Sequence, residues 1–332
     1  MRIWFNRGFS LAPISAAMIA ADPTLEVYAS VGEGMPTYEG PTETWVEPNL
    51  PAAQYVEWAR EMVIARGIDI LIPTRYRKAL SQADLPCRVE LPGSIETLAL
   101  LEDKYEFAQA IEEEPFHLLT TPVATTWQLE SSIFTFPQVH GEDAEPCVKP
   151  RKGVNGLGFW HLTKVNPTSH LLNPDERKIR VDLYLDAMRA QEVDGPIDEL
   201  VLMEFLPGPE ISFDILAHHG RLLKAVARTK QENGRQRIQS EHPLKDAAAR
   251  LIELFKLHGV VNVQFRKAKD GSWKALEINS RPAGGVVYGE KVGARIIADW
   301  AGLLTGRLTP DSIDRRSIDT EIAISSTVLE VS

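Results

Sequence analysis

The feature that most constrains the fold lies late in the chain, in residues 260–280, VVNVQFRKAKDGSWKALEINS. Asp270-Gly271, set between two apolar-rich runs, signals a β-hairpin, and a two-residue turn there places Gln264 directly opposite Glu277. Side chains alternate between faces along a strand. Asn262, Gln264, Glu277, Asn279 and Arg281 therefore share one face, and Val263, Phe265, Leu276 and Ile278 share the other. Directly opposed residues bring their Cβ atoms to about 4.5–5.5 Å. Gln264, Glu277 and Asn279 then offer converging oxygens of the kind Mg²⁺ accepts alongside substrate phosphates. Arg281, one step further, is placed to hold a transferring phosphoryl group. A polar hairpin face turned to solvent has the same pattern, so this stretch alone leaves both readings open.

The first hundred residues alternate short apolar runs with helical stretches. RIWF, LEVYASV, IDILIP and CRVEL read as strands, and APISAAMIAAD and AAQYVEWAREMVIARG as helices, the second stopped by Gly67. This rhythm predicts a small parallel sheet with helices on both faces. The apolar SLAPISAAMIAA sits between two strands, as in a β–α–β unit rather than a signal peptide. NRGFS after the first strand is a poor match to a dinucleotide-binding loop.

Further on, residues 101–114 read as one helix with acids near its start, closed by Pro115. EPCVKPRKGVNGLGFWHL reads as strand, glycine-rich loop, strand, with Lys149 at the first strand's end and Gly153, Gly156 and Gly158 in the loop. Backbone N–H groups of such a loop can close on phosphates while a lysine supplies a point charge. An ordinary hairpin turn has the same composition, and the spacing is not that of a P-loop. Residues 174–192 read as a charged helix, more commonly a solvated face than a substrate reader. Residues 199–229 form two or three strands, with turns at Pro207-Gly208 and His219-Gly220. Residues 243–259 form an amphipathic helix with Leu251, Leu254 and Phe255 on one side and Gly259 as its stop.

Composition narrows the partners. At 332 residues the chain exceeds one ordinary core. Its 44% hydrophobic and 25% charged content is that of a soluble globular protein. A formal charge of −10 argues against nucleic-acid binding, which needs a basic surface. It leaves room for ATP, which a local cluster of lysines, arginine and Mg²⁺ can hold. Cys87 and Cys147 stand outside any metal-ligand spacing and read as reduced, which fits a cytoplasmic protein. No run approaches the ~20 apolar residues of a membrane span.

Five motifs in order, Asp103-Lys104, Lys149 with its glycine loop, MEFLPGPE, NVQF and LEINSRP, resemble the ATP-grasp superfamily. NVQF with LEINSR looks most like the branch of the carbamoyl-phosphate-synthase large subunit and its amino-acid-ligase relatives. The resemblance spans nearly the whole chain. It implies an α/β and α+β architecture: a Rossmann-like pre-ATP-grasp domain (1–100), a small ATP-grasp subdomain region (101–200) and a large one (201–332).

The resemblance also implies roles. Lys104 and Lys149 contact phosphate, Lys149 on the α-phosphate and adenine side, although either could be a solvated surface lysine. The loop with Gly153, Gly156 and Gly158 closes over the phosphates. Backbone groups around Glu204, Phe205 and Leu206 read the adenine edge, and Glu210 accepts the ribose hydroxyls. Gln264, Glu277 and Asn279 ligate Mg²⁺, with two ions bridged by Glu277 and Mn²⁺ as a substitute. Arg281 stabilises the transferred phosphoryl group. Arg228 faces phosphate or acceptor, or else is a surface arginine on a loop. Ser280 replaces the family's usual proline, which is expected to loosen the backbone, and Gln264 stands where many members carry an acid.

The implied reaction joins a small-molecule acid to an amine through an acyl phosphate, releasing ADP and phosphate. Bicarbonate-dependent carboxyphosphate chemistry and a non-catalytic nucleotide sensor are the alternatives. A homodimer is common among relatives.

Overall fold

The computed structural model describes residues 1–8, 10–35, 39–153, 156–231 and 234–324. Val154 and Asn155 of the glycine loop, and 325–332 of the expected last domain, lie outside the described residues. The chain divides into two compact units. Unit 1 comprises Met1–Leu98, Ile211–Gln264 and Ile278–Ser332; unit 2 comprises Ala99–Glu210 and Phe265–Glu277.

Unit 1 begins with five strands: β1 (Arg2–Asn6), β2 (Glu26–Val31), β3 (Glu43–Val46), β4 (Ile70–Pro73) and β5 (Arg88–Val89). They form a parallel sheet in the order β3-β2-β1-β4-β5. β1 is apolar on both faces because both are covered. Ile3 and Phe5 pack against Ile14 and Met18 of the helix Leu11–Ala21, while Trp4 packs against Tyr55, Ala59 and Val63 of the helix Ala52–Arg66. The expected two-sided layering holds, and Gly67 closes the second helix at φ 59°. Strand order reverses between β1 and β4, the switch point where open α/β sheets bind ligands beyond the strand ends. Buried Asn6 ties that point together: its Oδ1 accepts from Thr74 N at 2.7 Å and its Nδ2 donates to Arg75 O at 3.0 Å.

Unit 2 carries β6 (Thr120–Val123), β7 (Pro146–Pro150), β8 (Trp160–Leu162), β9 (Lys178–Ile179) and β10 (Leu200–Glu204), ordered β6-β10-β7-β8-β9. One face packs on Leu129, Phe136, Tyr184 and Leu185, and the other holds Leu118, Cys147, Met203, Leu206 and Ala268. Residues 101–114 are not one helix. Asp103 interrupts them, capping a new helix Lys104–Ala110 by accepting from Tyr105 N and Glu106 N. Nor does a helix fill 174–192: a short 3₁₀ turn and β9 come first, and the helix runs Val181–Asp194.

The third sheet contains β11 (Glu210–His218), β12 (Arg221–Lys230), β13 (Arg235–Gln239), β14 (Gly259–Lys267), β15 (Trp273–Asn279) and β16 (Asp319–Ala323), in the order β15-β14-β11-β12-β13-β16. In unit 1, Leu216, Leu223, Val226 and Val260 of this sheet share a core with Ile296, Ile297 and Trp300 of the helix Ile296–Leu304. The amphipathic helix is shorter than expected, Lys245–Leu254. Leu251 and Ile252 are buried, whereas Leu254 faces solvent, and Gly259 starts β14 instead of stopping the helix. The β14–β15 turn also differs. Gly271 N bonds Ala268 O, and Ala268 N bonds Ser272 O, so the loop is Lys269-Asp270-Gly271 with Gly271 at φ 87°. A three-residue turn of this kind ends in a left-handed glycine, one residue longer than the sequence suggested.

Candidate active site

In unit 2, Lys149 sits at the end of β7, with Nζ 5.6 Å from the centre of the Phe159 ring. Lys104, one residue past the cap, donates from Nζ to Gly153 O at 3.1 Å and so grips the start of the glycine loop. Gly158 is required in that loop: at φ 72°, an added Cβ would approach Pro150 Cγ to 2.6 Å. Burial lowers the Lys104 ammonium below its ordinary pKa; Glu277 opposes this and Lys149 reinforces it. Two ammonium groups and a carboxylate thus lie within electrostatic reach in unit 2.

The segment from Glu204 to Glu210 leaves β10 and returns toward β14. Phe205 N donates to Glu145 O at 2.7 Å, and Gly208 N donates to Lys267 O at 3.0 Å. Leu206 is buried in the unit's core. The Phe205 ring stacks on His161, with centroids 3.6 Å apart. His161 is held in turn by Glu145 at 3.0 Å. Burial, with Asp270 nearby, raises the Glu204 carboxyl. Glu210 lies 3.9 Å from Arg266 Nη1, and the Arg266 guanidinium also lies 5.8 Å from the centre of the Phe205 ring. His161 and Arg266 were missed by sequence reasoning. Arg266 continues the alternation of Asn262 and Gln264, and His161 follows Phe159 at strand spacing, so both left a signal.

In unit 1, Arg228 is neither on a loop nor at the surface. It sits on β12, 8% exposed, with Nε donating to Asp214 Oδ2 at 2.6 Å and Nη2 donating to Ser212 Oγ at 3.2 Å. Its guanidinium lies against the Gly285 backbone, where any side chain would strike it. Asn262 is wholly buried and donates from Nδ2 to Ser212 Oγ, Phe213 O and Asp214 Oδ1 at 2.8–3.0 Å. Gln264 Nε2 donates to Asn262 Oδ1 at 3.3 Å, which directs Gln264 Oε1 away from Asn262. Glu277 and Asn279 stand two residues apart on β15, both half-buried.

Ser280 is not loose. Arg77 donates to Ser280 Oγ at 2.7 Å and to Ser280 O at 3.1 Å, holding the residue where the family usually has proline. Arg281 follows, lining a cavity with Phe5, Leu11, Ile72 and Trp300. This cavity opens beside Pro73 and Thr74, at the end of β4.

The fold is that of the ATP-grasp superfamily. Residues 196–327 match the family described as ATP-grasp in the biosynthetic pathway with Ter operon. Among solved structures, an L-amino acid ligase from Bacillus licheniformis superposes with TM-score 0.65 at 15% identity, covering 96% of this chain and 76% of that one. An N5-carboxyaminoimidazole synthetase from Staphylococcus aureus, complexed with ADP, gives 0.60 at 12% identity over 88% and 73%. A biotin carboxylase from Campylobacter jejuni, as a β,γ-ATP complex, gives 0.63 at 12% over 94% and 72%. No curated protein sequence matches the chain. Among the described residues no helix is long and apolar enough to cross a membrane.

Proposed function

We propose that the protein is an ATP-dependent carboxylate–amine ligase that forms an amide or peptide bond through an acyl phosphate and releases ADP and phosphate. The observation that carries this reading is the grouping of Lys104, Lys149 and Glu277 beside a glycine loop whose first carbonyl Lys104 holds. Paired ammonium groups suit a polyphosphate, and the desolvation felt by Lys104 strengthens its field there. Glu210 suits a ribose diol, and the segment around Phe205 suits a base. The Phe205 N–H is committed to Glu145 O, so the adenine edge is read by other backbone groups around Glu204 and Leu206.

The side-chain oxygens of Gln264, Glu277 and Asn279 are hard donors of the kind Mg²⁺ takes. The fit rests on Gln264, whose amide nitrogen is turned toward Asn262 so that its oxygen is the free-pointing end. When bound, Mg²⁺ neutralises phosphate charge. The protein's own part is positioning: Lys104 and Lys149 orient the triphosphate, Arg281 meets the transferred phosphoryl group, and Arg228, fixed by Asp214, orients the acceptor side.

The test is ADP release from Mg-ATP against separate pools of amino acids and of bicarbonate. Release that requires an acid together with an amine supports the ligase; release with bicarbonate alone moves the chemistry to carboxyphosphate. Glu277→Ala is expected to abolish release while the fold persists, and near-normal turnover in a folded variant would sink the assignment.

A further inference from the structure

Three imidazoles meet in unit 1, from residues to which the proposed reaction assigns no role. His218 ends β11, His219 forms the turn to β12, and His258 immediately precedes β14. The backbone brings them together: Gly220 N donates to Leu257 O at 2.8 Å, and His258 N donates to Pro92 O at 2.9 Å. One ring nitrogen from each histidine lies within 4.8 Å of the others. His219 occupies the left-handed region at φ 46°, which a non-glycine residue adopts at a cost and which recurs at functional sites.

Their hydrogen bonding is incomplete in a telling way. His258 Nε2 lies 2.7 Å from Glu90 Oε1, and the other oxygen of Glu90 lies 3.2 Å from Arg88 Nε. With Nε2–H committed to the carboxylate, the lone pair of His258 sits on Nδ1. That atom is buried, and among the described residues neither it nor His218 Nδ1 has a hydrogen-bond partner. Buried polar atoms are normally satisfied, and those that are not call for an explanation. A carboxylate held against one nitrogen of a histidine that belongs to a cluster of imidazoles is the arrangement that orients metal-ligating histidines.

We propose that His218, His219 and His258 form a binding site for one divalent transition metal of the imidazole-preferring class, Zn²⁺ foremost, with Glu90 orienting His258. Three neutral nitrogen donors suit Zn²⁺, Ni²⁺ or Cu²⁺ and suit Mg²⁺ poorly. The fourth position of a tetrahedral site is left to water, which reaches the cluster from the pocket lined by Leu91, Trp300 and Leu304. Zn–N bonds of about 2.0–2.1 Å place tetrahedral ligand atoms about 3.3 Å apart, so the rings close in slightly on binding. The rings of His219 and His258 are stacked, with centroids 4.1 Å apart and planes 5° from parallel. Parallel lone pairs cannot meet at one point, so a ring must turn. His219 is exposed at the tip of the turn and is the ring free to do so.

The experiment uses the full, tag-free chain, stripped with chelator and titrated with Zn²⁺ against a chromophoric competitor, then with Co²⁺ followed by its visible spectrum. The expected result is one equivalent bound with submicromolar affinity and Co²⁺ bands of four-coordinate intensity. His258→Ala and His219→Ala should each weaken uptake at least 100-fold; the exposed position of His219 makes that variant safe for folding. Glu90→Gln should weaken it about 10–100-fold. Glu277→Ala should leave it unchanged, separating this site from the proposed Mg²⁺ ligands. Absence of stoichiometric uptake overturns the proposal. So does uptake that survives both histidine variants or disappears in Glu277→Ala.

Discussion

Replacing Arg77 by alanine tests whether a hydrogen-bonded clamp does the work of the missing proline. Arg77 donates to Ser280 Oγ at 2.7 Å, to Ser280 O at 3.1 Å and to Pro73 O at 3.2 Å. A hydrogen bond to a charged group contributes about 1.5–3 kcal/mol net. The three share one guanidinium and do not add fully. Ser280 is 8% exposed, so its hydroxyl loses a partner in a place water reaches poorly. Together these give an expected loss of about 2–4 kcal/mol. Ser280→Ala, which keeps the carbonyl bond, should cost about 1 kcal/mol. The double variant should show a coupling of roughly 0.5–2 kcal/mol. Urea unfolding at constant m measures all three. On the proposed reading, Arg77 acts by positioning Ser280 and, through it, Arg281. ADP release by Arg77→Ala should therefore fall in kcat with KM for ATP little changed, and Ser280→Pro in that background should recover part of the loss. A destabilisation under about 0.5 kcal/mol, or a defect confined to KM for ATP, would refute the clamp.

Asp103 caps one helix and accepts two bonds from Arg151 Nε at 2.8–2.9 Å, so Asp103→Ala should cost about 2–4 kcal/mol by urea unfolding. Burial pushes its carboxyl up, but the Arg151 and backbone hydrogen bonds outweigh that and hold it below the ordinary 3.8. A depressed carboxyl contributes stability that is present above its unfolded value and is lost as pH falls through its folded value. Asp103→Asn, which keeps a cap, should therefore unfold less steeply than the parent below pH 3.8 in an acid titration followed by circular dichroism. Asp214→Ala strands the buried Arg228 guanidinium and should cost about 3–5 kcal/mol, whereas replacing both residues by apolar ones of similar volume should cost far less; equal losses in the two would refute an uncompensated charge as the cause.

What the sequence showed of this fold is what short-range pattern can encode. β1, β2 and β4 are apolar runs because their faces are covered, and such runs bounded by turn residues stand out. β3, ETWV, lies at the sheet edge and is only half-buried, so it lacked that mark. Asp103 read as an acid near the start of a longer helix, and the sequence alone did not show the bonds to Arg151 that accompany its cap. Arg77 with Ser280, and Glu90 with the three histidines, are joined by the fold across long stretches of chain, and no local spacing announces them.

The polar stripe of β14 shows the same limit at the scale of one strand. Alternation states which side of the sheet a residue faces and nothing about depth. Asn262 and Gln264 share a side, yet Asn262 is fully enclosed and spends its amide on Ser212, Phe213 and Asp214. Gln264, two residues on, is half-buried and is oriented by Asn262. The difference arises because β11 lies beside β14 and presents Asp214, which needs Arg228 and Asn262 to be buried as a charge. One residue of the stripe thus serves as scaffold and orients the next, the proposed ligand. Asn262→Leu, which keeps the branched side-chain shape and removes the amide, should therefore impair Mg²⁺-dependent ADP release through Gln264.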